Sequence, residues 1–364
     1  MAKSKIVNDE ERIMFSLREL YEAYGYSRYK MLKFEEYDFY SKNKDFLVSD
    51  SIITFNDTNG KLMAMKPDVT LSIIKNTEDI PGERRKVYYN ENVYRVSKNS
   101  RTFREIMQTG VECIGDIDAY CVSEILSLAA SSLKLISENS ILSISNLDII
   151  SYAVDLYTGK PEIKKQLISL TGEKNVNAIT ALCRKENISA EGCEALCGLA
   201  KLHGKAGYVF PELRKLLPGC RLIDAFEKTV EAMHSSLKNM TEIDFSYSGD
   251  IKYYNGIVFK GYVQGIPESV LSGGQYDGLM KRMGRSDGAV GFAVYLGTVE
   301  RLVKTDSDYD VDTVILYGPD TDIAAVSEEV KKAADSGVTV TALKSKPGKL
   351  KYRRIINLCE GGGE

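Results

Sequence analysis

The sequence predicts an α+β protein in which helices flank an antiparallel sheet, a helical insertion interrupts it, and a small α/β tail follows. Three observations predict this class. Two long runs of alternating apolar and polar residues surround a polar tip near residue 100, helical patterns rich in Lys and Glu fill about 150–238, and strand patterns resume after residue 241. Runs of strands that are separated from runs of helices are typical of α+β domains.

The first 150 residues combine helices with hairpins. An apolar stripe predicts an amphipathic helix over Glu10–Tyr24, which Gly25 would end. The segment Asn56–Gly60 ends in Asn-Gly, a pair that favours the positive φ of a tight turn, and predicts a first hairpin. The polar tip Ser97–Thr102 predicts a second, longer hairpin. The predicted strands are Phe46–Phe55, Lys61–Met65, Arg85–Val96, Glu105–Ile114 and Leu142–Asp148, and the other helices are Val69–Lys75 and Tyr120–Glu138.

After the insertion, strand patterns return and the chain divides into two domains. The charged segment Lys304–Asp312 has few large aliphatic residues and predicts a linker. Residues 1–303 would form the core, with the helical insertion at about 150–238, and residues 313–364 a small C-terminal domain of order β-α-β-β. The predicted elements are Glu242–Tyr247, Ile257–Val263, Val270–Leu271 and the strand-to-helix run Ala289–Arg301, then Thr313–Tyr317, Ala324–Ser336, Val338–Leu343 and Arg354–Cys359.

Composition is that of an ordinary globular protein. Hydrophobic residues make up 43% and charged residues 27%, which is enough apolar material to bury a core and too much for a disordered chain. A net charge of -3 offers no global attraction to a polyanion. No segment has the pattern of a secretion signal or a membrane span, so a cytoplasmic protein with reduced thiols is expected. Cys193 and Cys197 lack obvious partners for a zinc site, and no metal is predicted.

Several short motifs occur in an order that a known family shares. Glu105–Gly115 reads E-I-M-Q-T-G-V-E-C-I-G, and Ser272–Leu279 reads S-G-G-Q-Y-D-G-L. Together with K-P-D-V-T at Lys66–Thr70, Y-Y-N-G at Tyr253–Gly256 and G-F-A-V at Gly291–Val294, this order resembles class II aminoacyl-tRNA synthetases, and histidyl-tRNA synthetase in particular. The resemblance covers residues about 10–302 and implies a class II synthetase-like antiparallel sheet.

The resemblance implies an intact pocket for the amino acid histidine. A buried ammonium group needs carboxylates and hydrogen-bond acceptors at short range, because an unpaired buried charge is costly. Asp68, Gln108 and Glu112 supply such groups and match the family's histidine-binding positions, while Arg95 could bind the carboxylate of the ligand. The histidine-binding set that the resemblance implies is Asp68, Thr70, Arg95, Gln108, Glu112, Tyr253 and Tyr254.

Each of these residues also has a purely structural interpretation. Gln108 and Glu112 are four residues apart on a strand and could form a solvated polar row. Asp68 follows Pro67 and could simply cap a helix. The pair Tyr253–Tyr254 could reflect core and surface alternation in a strand.

The nucleotide half of the site departs from the family pattern. Adenylation develops charge on a phosphate, which synthetases surround with fixed cations. Arg95 matches the arginine of the second class II motif and remains, but uncharged residues stand where the resemblance places charged groups. Arg301 could compensate only if its helix shifts register. The uncharged replacements are Ser97, Gly249, Gln275 and Thr298.

By this resemblance the chain keeps the histidine contacts, lacks several phosphate contacts and has a short tail. In these respects it resembles the regulatory subunits that pair with short-form ATP phosphoribosyltransferase. That family implies no catalytic residues and no cofactor, binding of L-histidine, a self-dimer through the core and a hetero-octamer with the catalytic subunit. Residues 313–364 are too few for an anticodon-binding domain, so tRNA binding is not expected. The segment Met31–Glu35 departs from the family's first motif. The details of the dimer interface therefore do not follow from the resemblance.

Two alternatives from other functional classes stay open. One is an enzyme, either a divergent histidyl-tRNA synthetase or a histidine-activating ligase. The other is an adaptor that binds neither ligand and only holds a partner.

Overall fold

The computed structural model describes residues 9–44, 47, 52–80, 82–96, 102–246, 254–299 and 309–359. The chain divides into two compact units, Met1–Val303 and Lys304–Glu364. The predicted linker falls partly outside the described residues. Val311 and Asp312, which the prediction placed in this linker, belong instead to the first strand of the second unit.

The described part of the first unit is built on a nine-stranded sheet of order β1-β5-β6-β12-β11-β10-β7-β9-β8. Most neighbouring strands are antiparallel, while the pairs β1–β5 and β7–β9 are parallel. The predicted class, an antiparallel sheet flanked by helices, is confirmed. The strands are β1 Ser27–Arg28, β5 Arg84–Val96, β6 Phe103–Gly115, β7 Ser140–Asn146, β8 His203–Gly204, β9 Thr241–Asp244, β10 Asn255–Val263, β11 Leu271–Gln275 and β12 Gly288–Tyr295.

The long hairpin β5–β6 is covered by apolar residues on both faces. Its register runs without a break from Arg84 opposite Gly115 to Val96 opposite Phe103. Because successive side chains of a strand point to opposite faces, Tyr88 and Val111 join one hydrophobic core, whereas Val87 and Tyr89 join another. The hairpin therefore separates two layers of helices.

One layer contains α1, Asp9–Ala23, and α4, Ala119–Ile136. The side chain of Asp118 caps α4 by accepting a hydrogen bond from the Cys121 amide at 2.9 Å. By length and composition α4 is the one helix among the described residues that could cross a membrane, and 67% of it is buried inside the protein. The expectation that no segment is long enough was therefore wrong, but a buried apolar helix is also what a core requires.

The insertion consists of helices that pack on each other beside β7 and β9. It also contributes the short strand β8, so it is not wholly helical as predicted. The predicted strand Leu142–Asp148 ends earlier, at Asn146, whose side chain accepts hydrogen bonds from the Asp148 and Ile149 amides and starts a helix. The helices are α5 Leu147–Asp155, α6 Pro161–Gly172, α7 Val176–Lys185, α8 Ala190–Lys201, α9 Ala206–Leu216, α10 Arg221–Glu231 and α11 Ser235–Lys238.

A small three-stranded sheet of order β2-β4-β3 lies in the same unit. Its strands are β2 Phe34–Glu36, β3 Thr54–Asn56 and β4 Leu62–Met65, and the helix α2, Tyr37–Lys42, follows β2. The hairpin around Asn56–Gly60 is confirmed. The helix α2 was not predicted, and much of the predicted strand Phe46–Phe55 lies outside the described residues.

Three short helices border the candidate site. They are α3 Thr70–Lys75, α12 Asp277–Arg282 and α13 Leu296–Val299. The strand predicted at Val270–Leu271 continues to Gln275, and α12, which follows it, was not predicted.

The second unit contains a parallel sheet of order β14-β13-β15 with one helix. Its chain order is β-α-β-β, as predicted. The elements are β13 Val311–Leu316, α14 Ile323–Asp335, β14 Val340–Leu343 and β15 Tyr352–Asn357.

Candidate functional site

The candidate site lies on one face of the central strands. Gln108 and Glu112 are four residues apart on β6, so their side chains share that face. They are only 4% and 2% exposed, respectively, which rules out the solvated polar row. Gly110 lies between them, and a Cβ there would overlap the Phe292 carbonyl oxygen of the neighbouring strand.

Glu112 is held by two hydroxyl groups from distant parts of the chain. The Thr70 Oγ1 donates a hydrogen bond to Glu112 Oε1 at 2.6 Å, and the Tyr276 hydroxyl donates to Oε2. Gly291 lies opposite Glu112 in the neighbouring strand β12. A Cβ at Gly291 would overlap Glu112 Oε2 and the Val111 carbonyl oxygen, so the carboxylate occupies the space that a glycine leaves free.

Asp68 has two roles at the start of α3. Its Oδ1 accepts a hydrogen bond from the Leu71 amide at 2.9 Å, which is the helix-capping contact that the structural interpretation proposed. The same side chain is buried, and its negative charge acts on Glu112. Capping and membership of the carboxylate cluster are therefore compatible.

The turn that carries Asp68 is anchored by a buried ion pair. The Lys66 ammonium is fully buried and donates to Glu91 Oε2 at 2.8 Å. The other carboxylate oxygen of Glu91 accepts a hydrogen bond from the Met31 amide at 3.2 Å. The K-P-D-V-T segment is thus tied to β5 and to the chain before β2, which fixes the direction of Asp68 and Thr70.

The two carboxyl groups favour a positively charged ligand. The pKa of Glu112 is raised to about 8: burial is the largest cause, the hydrogen bonds from Thr70 and Tyr276 oppose the rise, and the negative charge of Asp68 adds to it. Burial also raises the pKa of Asp68, which the Leu71 hydrogen bond and the Arg95 charge oppose. A ligand ammonium placed here would gain acceptors and relieve the repulsion between the carboxylates.

Arg95 brings a positive charge to the edge of this cluster. Its Nε donates to the Pro67 carbonyl at 3.2 Å, and its charge acts on Asp68. Arg104, a second arginine, lies opposite Arg95 in the β5–β6 register and is exposed. The structure therefore places Arg95 nearer to the acidic groups than Arg104.

Tyrosines form the rest of the surroundings. Tyr254 is half-buried, and a Cβ at Gly274 would come within 2.8 Å of its ring. A Cβ at Gly110 would lie 2.6 Å from the hydroxyl of Tyr89, so that phenol lies over the glycine between Gln108 and Glu112. The position of Tyr253, which was predicted beside Tyr254, falls outside the described residues.

Tyr89 and Tyr276 were not predicted as site residues. The signal for Tyr276 was present in the quoted S-G-G-Q-Y-D-G-L motif. The signal for Tyr89 was weaker, because it depends on the pairing of Tyr89 with Gly110 across β5 and β6. Both contacts join residues that are far apart in the sequence.

The uncharged replacements are only partly described. The Gln275 Oε1 accepts a hydrogen bond from the Ile257 amide at 2.9 Å, where the β10–β11 register is interrupted. Gln275 therefore stabilises the backbone between Asn255 and Val258. Thr298 lies on α13 and is partly exposed. Ser97, Gly249 and Arg301 lie outside the described residues.

No cluster of three or more His, Cys, Asp or Glu suited to a metal ion occurs in the described part of the chain. All seven cysteines are free thiols. Cys193 and Cys197 are partly buried and pack against the hydrophobic core of the insertion.

The fold and these motifs define the class of protein. Residues 4–299 match the histidyl-tRNA synthetase family, and the chain belongs to that family. Within it, the chain resembles the ATP phosphoribosyltransferase regulatory subunit of Clostridium kluyveri, at 28% identity over 88% of this chain and 86% of the relative. It is also 25% identical to the histidine–tRNA ligase of Methanosarcina acetivorans, over 85% of this chain and 75% of that protein.

Solved structures share the fold. An ATP phosphoribosyltransferase regulatory subunit/histidyl-tRNA synthetase from Bacillus halodurans has a TM-score of 0.76 and 21% identity, covering 97% of this chain and 94% of that one. A chain of the ATP phosphoribosyl transferase complex from Thermotoga maritima has a TM-score of 0.61 and 18% identity, covering 78% and 96%. At these identities the likeness concerns the fold alone.

Proposed function

We propose that this chain is a non-catalytic regulatory subunit of ATP phosphoribosyltransferase that binds L-histidine and mediates feedback inhibition of the first step of histidine biosynthesis. The observation that carries the proposal is the buried acceptor cluster of Asp68, Gln108 and Glu112, in a chain with uncharged residues at its matched phosphate-binding positions. The name of the Clostridium kluyveri relative and the Thermotoga maritima complex support the regulatory role.

The ligand fits the cluster by charge. The ammonium of histidine would lie between Asp68 and Glu112 with Gln108 beside it, and Arg95 would bind its carboxylate. Tyr253 and Tyr254 would contact the imidazole, since a phenol can hydrogen-bond to a ring nitrogen and pack against the ring. Thr70 would orient Glu112 through the hydrogen bond that it already donates.

The proposed partner is the short-form catalytic subunit of ATP phosphoribosyltransferase, in a cytoplasmic hetero-octamer whose regulatory chains dimerise through their cores. Histidine bound to the regulatory chain would alter the partner's activity through a coupling free energy between the two sites. The proposal includes no role for tRNA or for a cofactor.

Reconstitution with a short-form catalytic subunit tests the function directly. We expect the catalytic subunit to gain activity when this chain is added, and the activity of the mixture to fall when L-histidine is added. The control is the catalytic subunit alone, with and without histidine. An unchanged rate at a stoichiometric excess of this chain would contradict the proposal, and activation without histidine sensitivity would favour the adaptor alternative.

Replacing Glu112 tests the pocket. Glu112→Gln should weaken histidine binding by about 1.5–3 kcal/mol, the usual contribution of a hydrogen bond to a charged group, because the ammonium would face a neutral amide. Isothermal titration calorimetry measures the change. Glu105→Gln is the matched control, since Glu105 lies on the same strand but on its opposite face, at the exposed end near the hairpin tip. Equal affinities for all three proteins would remove Glu112 from the pocket.

A divergent histidyl-tRNA synthetase is the second candidate. The Methanosarcina acetivorans ligase supports it, because its similarity to this chain is close to that of the regulatory subunits. The two candidates share the histidine pocket and differ in whether the chain activates histidine with ATP.

A further inference from the structure

The environment of Glu112 is unusual for an ionised carboxylate. Its two oxygens meet the hydroxyls of Thr70 and Tyr276, and Glu112 forms no ion pair with any basic residue in the described ranges. Of the described cations, Arg95 acts on Asp68 and donates to a backbone carbonyl, and the buried Lys66 ammonium is paired with Glu91. Gln108, on the same strand, and Tyr89, on β5, are neutral, so neither offsets the charge of Glu112.

Among the described residues, each element around Glu112 contributes either a neutral group or a second negative charge. The segment that starts α3 contributes Asp68 and Thr70, and the turn after β11 contributes Tyr276. The strand β12 contributes only the backbone of Gly291 at this point, with Tyr295 further along the same face opposite Gln108. Among the described groups, two buried carboxylates and one arginine leave one uncompensated negative charge, because the Lys66 ammonium is paired with Glu91. Such a charge is costly away from water.

We infer that the empty pocket holds a proton on the Asp68–Glu112 pair and exchanges it for the ammonium group of a ligand. The inference rests on the proposed function. The O–H bond of the Glu112 carboxylic acid breaks, its electron pair stays on the carboxylate and the proton passes to the solvent. The incoming ammonium then supplies the positive charge that the proton supplied before. A neutral Glu112 is also compatible with its partners, because a hydroxyl can accept a hydrogen bond as well as donate one.

The direction of the pH dependence follows from the pocket's proton. Burial, and then the charge of Asp68, raises the pKa of Glu112 to about 8 in the empty protein. Below that pH the empty pocket carries the proton and the complex does not, so binding must release it. The dissociation constant should therefore rise by about tenfold for each pH unit below 8 and level off above it.

Calorimetry of the full chain with L-histidine tests the exchange. Titrations at several pH values between 6.5 and 8.5, in buffers of different ionisation enthalpy, report the number of protons released. We expect nearly one proton per histidine at pH 7, with a smaller number as the pH rises past 8. Glu112→Gln keeps the titration of the ligand's own imidazole but lacks the carboxyl proton, so the difference between the two proteins isolates Glu112. Equal proton release and parallel pH profiles would overturn the inference.

A measurement without ligand separates this inference from the proposed function. In protein labelled with ¹³C at glutamate carboxyl carbons, the resonance missing from Glu112→Gln should titrate with a midpoint near 8. Asp68→Asn preserves the helix cap but removes the second negative charge, and should lower that midpoint. A midpoint near the ordinary pKa of glutamate, about 4.3, overturns the inference even if histidine binds. A high midpoint without any histidine binding supports the pocket proton and contradicts only the proposed function.

Discussion

The purified protein is expected to show no histidine-dependent exchange of pyrophosphate into ATP, the reaction that reports histidyl-adenylate formation. The resemblance to histidyl-tRNA synthetase places charged groups of the family at the positions of Ser97, Gly249 and Thr298, none of which carries charge here. Removing one preorganised group that stabilises developing charge typically costs about a hundredfold to a thousandfold in rate. Groups that act on one phosphate are coupled, so these losses do not simply multiply, but even one leaves a severely weakened enzyme.

The exchange assay needs a sample that is known to be folded and to bind histidine. Calorimetry on the same preparation supplies that control, and an active histidyl-tRNA synthetase run in parallel shows that the assay works. Exchange within about tenfold of that synthetase, together with no effect on an ATP phosphoribosyltransferase catalytic subunit, would establish the synthetase alternative. Histidine binding without exchange is the result that the regulatory function requires.

Under the proposed function, a single retained arginine would be enough for a histidine pocket in a chain without adenylation activity. Arg95 donates to the Pro67 carbonyl and acts on the Asp68 charge, so its described contacts belong to the amino-acid side of the site. A ligand carboxylate needs one such cation, whereas a triphosphate in the course of reaction needs several fixed charges. Under the proposed function, loss of the phosphate contacts would therefore leave the recognition of histidine chemically intact.

The elements of the sheet that could be predicted are those in which side chains alternate. The hairpin β5–β6 is an example, because its two strand patterns flank a polar tip, and each strand is 13 residues long in the structure. The strand β11 was predicted too short because its Gly273 and Gly274 have no side chains to alternate. The end of β7 was misplaced because the capping role of Asn146, a local hydrogen-bonding pattern, was overlooked.

Only the site residues that lie in motifs shared with the family could be predicted from the sequence. Asp68, Gln108 and Glu112 were predicted from the resemblance, and the structure brings the two carboxylates into one buried cluster. The helix cap and the acidic cluster were alternative interpretations of Asp68, and only the fold shows that the capping carboxylate also acts on Glu112. The hydrogen bond from Tyr276 to Glu112 joins residues 164 positions apart, and only the pairing of β6, β12 and β11 creates it.

Gly291→Ala is expected to have a large effect, because the added methyl group would meet both the backbone of β6 and the side chain of Glu112. A Cβ there would overlap the Val111 carbonyl oxygen and Glu112 Oε2, and would lie 2.7 Å from Glu112 Cδ. The side chain of Glu112 could turn away, at the cost of its bonds to Thr70 and Tyr276. The Val111 carbonyl belongs to the backbone of β6, which β5 and β12 hold from both sides, so it cannot move without disturbing the sheet.

The expected cost of Gly291→Ala is therefore about 1–3 kcal/mol or more in the free energy of unfolding, as for overpacked cores, with a loss of histidine affinity of at least about tenfold. Urea unfolding and calorimetry measure the two effects.

Gly207→Ala is the matched control, because Gly207 lies on helix α9 and a Cβ there would meet no atom within 4 Å. That control should be neutral or slightly stabilising, by up to about 1 kcal/mol, since alanine favours helices over glycine. Equal results for Gly291→Ala and the control in both measurements would contradict this prediction. They would mean that β12 lies farther from β6 than the described contacts require, and that the backbone around Glu112 leaves room for a methyl group.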